Sequence, residues 1–156
     1  MKSYGKNIRL LVAGSPETDT GQRTSTLIEQ VENLKNIQIK GLYNPDKDKA
    51  VVMLEEAKLD KDFAVSDLEE FLSMDSDVVL VTESNTEAAA EVIFKSLSSN
   101  KNLINMNAAS EVLIGNYFKD LAEKNGVIYS VGAGDEPAVT LNLVNYCNKL
   151  GLEVVC

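Results

Sequence analysis

Short apolar runs alternate with amphipathic segments along the chain, and this alternation restricts the fold more than any other feature of the sequence. The pattern is typical of α/β proteins, in which parallel strands are joined by crossover helices. Because such crossovers are right-handed, we predict a doubly wound, mainly parallel sheet with strand order 3-2-1-4-5-6 and helices on both faces. Seven strands are predicted, at residues 7–13, 37–43, 62–65, 77–82, 102–106, 127–131 and 152–155.

Four helices have clear signals in the sequence. Apolar residues recur at helical spacing in residues 22–34 and 86–98, so each segment has one stripe that can be buried. Two later helices are predicted from their end signals. Asn116 is expected to cap a helix that stops at Gly126, and Pro137 is expected in the first turn of the last helix.

The composition excludes several classes of function. A chain of 156 residues, 44% of them hydrophobic, is expected to form a single domain over residues 1–156. Its 24 acidic and 15 basic residues give a net charge of −9, which predicts that neither nucleic acid nor a membrane is a partner.

The absence of histidine excludes Ser-His-Asp and Cys-His hydrolase mechanisms, and no metal site is expected. No signal peptide or apolar span is evident, so the chain is expected in the cytoplasm.

In a sheet of this order, ligands bind beyond the carboxyl ends of the strands, where the strand order reverses. The loop after the first strand reads GSPETDTGQRT, and the corresponding loop of dinucleotide-binding domains holds the pyrophosphate. We interpret Gly14 and Gly21 as the first and last glycines of a loop about two residues longer than usual.

The chemistry of this loop supports two interpretations. Ser15 and Thr24 carry hydroxyl donors, and Arg23 is expected to pair with an anion at the start of the following helix. The residues that oppose phosphate binding lack an N–H or are acidic: Pro16, Glu17 and Asp19. In the alternative interpretation, Arg23 is a solvated surface residue and the loop binds nothing.

Asn44 follows the second strand, where dinucleotide-binding domains carry a ribose-binding carboxylate. Its amide can hydrogen-bond a ribose hydroxyl, and its neutrality leaves room for a 2′-phosphate beside Lys47 or Lys49. Asn-Pro-Asp is also good turn chemistry, and a simple turn is the alternative. The cofactor is therefore predicted to be NAD or NADP without a choice between them.

Polar residues also follow the fourth, fifth and sixth strands. Thr82, Glu83 and Ser84 lie where the nicotinamide side of a dinucleotide would pass, although helix capping alone would explain most of this composition. Asn107 ends the fifth strand at the crevice and is a further candidate for cofactor binding. Asp135, in VGAGDEP, is a candidate for contact with substrate, with a plain turn as the alternative.

Several segments from residue 77 onward form a pattern that carries a family resemblance. They are Asp77-Val78-Val79, Asn105-Met106-Asn107, Asn125-Gly126-Val127-Ile128-Tyr129, Gly134-Asp135-Glu136-Pro137 and Gly151-Leu152-Glu153-Val154-Val155. In these segments the chain resembles the nucleotide-binding half of homoserine-dehydrogenase-like oxidoreductases, particularly the relatives that carry a SAF domain. The resemblance covers roughly residues 7–156 and is weakest in the first loop.

The resemblance implies a Rossmann-like NAD(P)-binding domain that forms the N-terminal part of a longer enzyme and serves hydride transfer on a small polar metabolite. Homoserine dehydrogenases carry a lysine shortly after the fifth strand that assists proton transfer, whereas Asn107-Ala108-Ala109 contains none. Their substrate-binding and dimerising domain follows the nucleotide-binding domain. Homo-oligomerisation of this chain is left open, and no catalytic residue is assigned.

Two hypotheses about function follow from these observations. In the first, the chain is the cofactor-binding domain of an NAD(P)-dependent oxidoreductase. In the second, it is a non-catalytic Rossmann-like regulatory or assembly module whose phosphate loop is degenerate, because a fold does not determine a function. The loop over residues 15–21 discriminates between them: inward-facing N–H groups favour binding, and a carboxylate of Glu17 or Asp19 in that space favours the module.

Overall fold

The computed structural model describes residues 7–18, 21, 23–132 and 138–154, which contain six strands, six α-helices and one short 3₁₀ helix (Lys61–Phe63). The strands are β1 (Ile8–Gly14), β2 (Ile37–Tyr43), β3 (Ala64–Val65), β4 (Val78–Thr82), β5 (Asn102–Asn105) and β6 (Tyr129–Val131). The helices are α1 (Thr24–Glu32), α2 (Lys47–Glu56), α3 (Leu68–Ser73), α4 (Thr86–Ser98), α5 (Ala108–Asn125) and α6 (Ala138–Lys149). None of these helices combines the length and the hydropathy that a membrane span needs.

The six strands form one parallel sheet in the order β3-β2-β1-β4-β5-β6. This is the predicted α/β architecture, and the prediction is confirmed. β1 lies between β2 and β4, so the strand order reverses on either side of it. At the carboxyl end of this central pair, Gly14 is in register with Thr82.

The sheet is covered on both faces, as alternate residues of β1 indicate. Leu10 and Val12 pack on one face, and Leu11 and Ala13 pack on the other. The first face is covered from α1 and α2, chiefly by Ile28, Ala50, Met53 and Leu54. The second face is covered from α3, α4 and α5, chiefly by Phe71, Ile93, Leu97 and Phe118. Right-handed crossovers account for this division of the helices.

The helix before β6 begins earlier than predicted. Asn107 caps α5, because its side chain accepts the N–H of Ser110 at 2.7 Å. Asn116 therefore lies inside α5, on its exposed side, where a polar residue costs little. The predicted end of this helix is confirmed, since Gly126 has the left-handed φ of +67° that a C-terminal glycine supplies.

One helix was not predicted and one predicted strand differs from the structure. The turn that is the alternative interpretation of Asn44 is present as a bend at Pro45 and Asp46, and the chain continues from it into α2, which Asp46 caps by accepting the N–H of Asp48. The seventh strand is wrong for residues 152–154, which pair with no strand of the described sheet. A β-prone composition forms a strand only where a sheet edge accepts it. Pro137 lies outside the described residues.

Candidate functional site

The candidate site lies at the carboxyl ends of β1, β4 and β5. β1 and β4 approach so closely there that a Cβ on Gly14 would overlap Thr82 Oγ1 and lie 2.8 Å from the Thr82 carbonyl carbon. The glycine at position 14 is therefore required by strand packing. Whatever the loop binds, this position itself serves the contact between the two strands.

Thr24, the first residue of α1, fixes the helix against this strand pair. Its hydroxyl donates to the Ser15 carbonyl at 2.5 Å and lies 3.1 Å from Thr82 Oγ1. Thr24 and Thr82 are both fully buried. These hydroxyls hold α1 to the ends of β1 and β4 and are not exposed to a ligand.

The loop between β1 and α1, residues 15–23, is called the opening loop, and the structure describes its residues 15–18, 21 and 23. Glu17 and Arg23 form an isolated antiparallel bridge, and the Gly21 N–H donates to the Thr18 carbonyl at 3.0 Å. Gly21 has a φ of +79°, so the glycine at this position is required by the turn. Glu17 is exposed, and Asp19 lies outside the described residues.

The N-terminus of α1 differs from that of the next four helices. Arg23 occupies the N-cap position without a side-chain hydrogen bond, and the first turn contains no acidic residue. By contrast, α2 to α5 are each capped by an Asp or Asn side chain and each carry an acidic residue in the first turn: Asp48, Glu69, Glu70, Glu87 and Glu111. The Thr24 N–H donates to the Pro16 carbonyl, but those of Ser25 and Thr26 have no acceptor in the described part of the chain. Among the described residues, no side-chain cap or acidic residue of the first turn therefore neutralises the positive end of the α1 dipole.

The side chain of Arg23 forms an ion pair with Glu56, the last residue of α2. Both side chains are more than a third exposed, at 57% and 37%. Exposed ion pairs contribute little to stability, so an incoming anion can compete for the guanidinium. Arg23, the residue predicted to bind an anion, thus lies at the start of α1, but in this structure its guanidinium is paired with Glu56.

Asn44 is buried and has a structural role in this structure. Its Nδ2 donates to the Gly14 carbonyl at 2.8 Å, and its Oδ1 accepts the Asp46 N–H at 2.9 Å. The side chain therefore ties the end of β2 to the end of β1 and shapes the start of α2. A role in binding ribose would require the amide to leave at least one of these partners.

Ser15, Glu83 and Ser84 form one hydrogen-bonded cluster across the crevice. The Ser15 hydroxyl contacts the Glu83 carboxylate, and it also accepts the Ser84 N–H at 3.3 Å. Glu83 Oε1 in turn accepts the Asn85 N–H at 3.0 Å. A carboxylate thus lies beside the first residue of the opening loop, but it comes from the β4 loop and not from Glu17.

Asn107, which follows β5, links the β5 side of the crevice to this cluster. Its Nδ2 donates to the Glu83 carbonyl at 3.1 Å and lies 3.3 Å from the Ser84 carbonyl. Its backbone N–H donates to Asn105 Oδ1 at 2.9 Å. Contacts of this set join most of the predicted residues into one connected group, namely Gly14, Ser15, Thr24, Asn44, Thr82, Glu83, Ser84 and Asn107. Asp135 lies outside the described residues.

Three further residues, one each in β5, α5 and β6, are absent from the predicted site. Asn105 Nδ2 donates to the Tyr129 hydroxyl at 3.0 Å, and that hydroxyl donates to Glu111 Oε2 at 2.7 Å. Burial and the hydrogen bond to Glu111 raise the pKa of Tyr129, so the phenol stays neutral. Asn105 had a signal in the sequence, as a polar residue ending an apolar strand, whereas nothing near Tyr129 or Glu111 indicates their contact.

Among the residues that the structure describes, no cluster of acidic residues and cysteines has the make-up of a metal site. No protein-family model matches the chain, and no curated protein matches it.

Solved structures resemble the chain in fold. WlbA dehydrogenase of Bordetella pertussis, solved with NADH and UDP-GlcNAcA, matches with a TM-score of 0.72 and 12% identity over 94% of this chain and 44% of that one. Biliverdin reductase of Synechocystis sp. PCC 6803, solved with biliverdin and NADP+, matches with a TM-score of 0.67 and 12% identity over 92% and 43%. Homoserine dehydrogenase of S. aureus matches with a TM-score of 0.60 and 22% identity over 82% and 33%. The chain thus shares their Rossmann-like fold and spans less than half of each protein's length.

Proposed function

We propose that the chain is the NAD(P)-binding domain of an oxidoreductase and that the cofactor pyrophosphate binds at the N-terminus of α1. The observation that carries this proposal is the open helix end: α1 has neither a side-chain cap nor an acidic first turn, in contrast to α2–α5. Helix N-termini attract anions through free N–H groups and the helix dipole. This end also lies where the strand order reverses, the usual position for a dinucleotide.

The residues present fit such a cofactor in part. The N–H groups of Ser25 and Thr26 have no acceptor in the described part of the chain; Thr26 is exposed, whereas Ser25 is buried and would meet a phosphate only at the bottom of the site. Arg23 can exchange its exposed partner Glu56 for a phosphate. Ser84 and Asn107 belong to the wall that would face the nicotinamide half. NAD(P), when bound, supplies the hydride acceptor or donor, while these residues bind and orient it.

The substrate and the full enzyme belong to the same proposal. The resemblance to homoserine dehydrogenases, and the 22% identity to the enzyme of S. aureus, support a small polar metabolite as substrate. The matched proteins are more than twice as long as the segment they share with this chain. We therefore include in the proposal a separate catalytic domain that provides the substrate contacts.

The proposal is tested by calorimetric titration with NADH and NADPH, using Arg23→Asp as the decisive variant. An aspartate at the N-cap would satisfy the open N–H groups, so the free energy of unfolding should rise by about 1 kcal/mol. The same carboxylate would repel the pyrophosphate, and the affinity for NADH should fall at least about tenfold, equivalent to about 1.4 kcal/mol.

Lys58→Asp is the matched control, because Lys58 is exposed, pairs with Glu29 and undergoes the same change in charge. It has a positive φ of 60°, which aspartate tolerates. Its cofactor affinity should equal that of the unchanged chain. Absence of binding at millimolar cofactor, or equal affinity in Arg23→Asp and Lys58→Asp, contradicts the proposal.

A non-catalytic regulatory or assembly module is the second candidate. It is favoured by the contacts that already satisfy two predicted ligands: Arg23 pairs with Glu56, and Ser15 contacts the Glu83 carboxylate. In that case the titrations would give no heat with NADH, NADPH or inorganic pyrophosphate. The same experiment therefore decides between the two functions.

A further inference from the structure

Glu111, in the first turn of α5, lies between two partners outside the set of predicted site residues. Its Oε2 accepts the hydroxyl of Tyr129 at 2.7 Å, and its Oε1 accepts Lys119 Nζ at 2.8 Å. The Glu111 side chain is 20% exposed, whereas that of Lys119 is 55% exposed. The carboxylate is thus held along the side of its own helix, where it reaches residues of α5 and β6.

Gly115 provides the space for this arrangement. A Cβ at position 115 would lie 2.5 Å from the carboxylate carbon of Glu111 and 2.5 Å from Oε2. Gly115 is in the interior of α5 with an ordinary φ, and glycine is unfavourable at such a position. The glycine therefore has a packing reason: it lets the Glu111 carboxylate lie against the helix.

Hydrogen bonds run in one direction from Asn107 to Glu111. The Asn107 backbone N–H donates to Asn105 Oδ1, Asn105 Nδ2 donates to the Tyr129 hydroxyl, and that hydroxyl donates to Glu111. The Asn107 side-chain Nδ2 is a separate donor, to the carbonyls of Glu83 and Ser84. A chain of hydrogen bonds ending on a charged carboxylate is strengthened by mutual polarisation. Asn105 Nδ2 also lies 3.0 Å from Ser110 Oγ and 3.2 Å from the Asn107 carbonyl, so Tyr129 is one of three groups that orient this amide. Displacement of Glu111 would remove the acceptor of Tyr129 and so weaken its hold on Asn105 and, through Asn105, on Asn107.

We propose that Glu111, seated over Gly115, is a positioning residue that orients Asn107 through Tyr129 and Asn105 and so shapes the β5 wall of the crevice. The effect on cofactor affinity rests on the proposed function, whereas the effect on Asn107 does not. Glu111 reaches Asn107 by two routes: its side chain acts through Tyr129 and Asn105, and its backbone N–H donates to the Asn107 carbonyl at 3.3 Å. Displacement of the carboxylate changes only the first route.

The decisive variant is Gly115→Ala, which adds one methyl group and must displace the Glu111 carboxylate. The displaced atoms are the end of a flexible side chain, and alanine favours a helix, so the domain should remain folded. Asn116→Ala is the matched control, because it also raises helix propensity at the neighbouring exposed position and removes no side-chain hydrogen bond in the described structure. Glu111→Gln keeps an acceptor for Tyr129, so it should change the Asn107 amide shift and the NADH affinity less than Glu111→Ala does.

Two measurements separate the relay from the cofactor site. In ¹H–¹⁵N spectra of the ligand-free domain, the Asn107 side-chain amide, assigned by its loss in Asn107→Asp, should shift in Gly115→Ala and stay in place in Asn116→Ala. In titrations with NADH, Gly115→Ala should weaken binding at least about fivefold and Asn116→Ala should not. An unchanged Asn107 amide in Gly115→Ala overturns the inference. Absence of NADH binding by the unchanged chain overturns the proposed function, and the amide spectra still decide the relay.

Discussion

Gly14 is a glycine because Thr82 occupies the space that a side chain would need. The residue ends β1 in register with Thr82, and a Cβ built on it would overlap the Thr82 hydroxyl. In dinucleotide-binding loops, the first glycine is explained by a tight turn near the pyrophosphate. Here the packing between strands already accounts for it, so its presence alone does not indicate a ligand.

Gly14→Ala should therefore destabilise the fold. The new Cβ would overlap the Thr82 hydroxyl and approach its backbone, and overpacking of this kind costs about 1–3 kcal/mol. Urea unfolding measures the loss. Ser15→Ala, one residue further on, removes only exposed or half-buried hydrogen bonds and should change stability by less than about 1 kcal/mol. Equal losses in the two variants would contradict this explanation of Gly14.

Asn44→Asp tests the structural role of the buried amide. The substitution places a carboxylate oxygen against the Gly14 carbonyl, and the free energy of unfolding at pH 7 should fall by about 3 kcal/mol. Burial beside a carbonyl raises the pKa of the new carboxyl, because its protonated form can donate to Gly14. The penalty should thus be small below the unfolded pKa of about 4 and grow as pH rises through the folded value.

Asn33→Asp is the control for this substitution. Asn33 also donates a side-chain amide to a carbonyl at 2.8 Å, that of Glu29, but it is exposed. Its loss should be about 1 kcal/mol or less and nearly independent of pH between 4 and 7. An equal, pH-independent loss at Asn44 would restore the interpretation of Asn44 as a residue free to bind ribose.

At the scale of the helix, the type of residue that caps a helix was easier to predict than its position in the sequence. Asn107 and Asn116 are both asparagines ahead of apolar residues, and capping propensity alone does not distinguish them. What decides is tertiary: Asn107 is held by Asn105 and the β4 loop, while Asn116 lies on the exposed side of α5. The helix α2 was not predicted for a related reason: the sequence Asn-Pro-Asp is typical both of turns and of the residues that precede a helix.

Two capping residues of similar type should differ in their contribution to stability. Asn85 caps α4 through the Ala88 N–H at 2.9 Å and is exposed, so Asn85→Ala should cost about 1 kcal/mol. Asn107 caps α5 and is also buried with a second bond to the Glu83 carbonyl, so Asn107→Ala should cost about 2–4 kcal/mol. Urea unfolding of both variants checks the order. A smaller loss at Asn107 would mean that it does not join α5 to the β4 loop.

For the whole molecule, strand order was predictable because it follows from right-handed crossovers and the alternation of elements. The direction of individual polar side chains was not, since Asn44 and Thr82 could each face a ligand or the protein interior. The structure turns both inward. The sequence alone could not reveal which hydrogen-bond donors have no partner within the protein. In the described structure, such donors include the N–H groups of Ser25 and Thr26 at the start of α1.

The contribution of α6 can be tested on the whole chain. From Thr140 to Val154 no residue is fully buried, and Leu143, Tyr146 and Leu150 are each more than half exposed. Neither core cluster contains a described residue of α6. Removal of residues 133–156 should therefore leave a cooperatively folded sheet, with a free energy of unfolding within about 1 kcal/mol of the full chain.

The matched control for this truncation is a chain that ends at Gly126 and so also lacks β6. That chain loses Tyr129, whose ring lies 5.8 Å from that of buried Phe118 and whose hydroxyl joins Asn105 to Glu111. Exposing the core beneath β5 and breaking this connection should cost at least about 3 kcal/mol. Urea unfolding of the two truncated chains measures the difference. Loss of cooperative unfolding already in the longer one would mean that α6 covers the sheet in solution, where it would bury the apolar side chains of β6 and its neighbours.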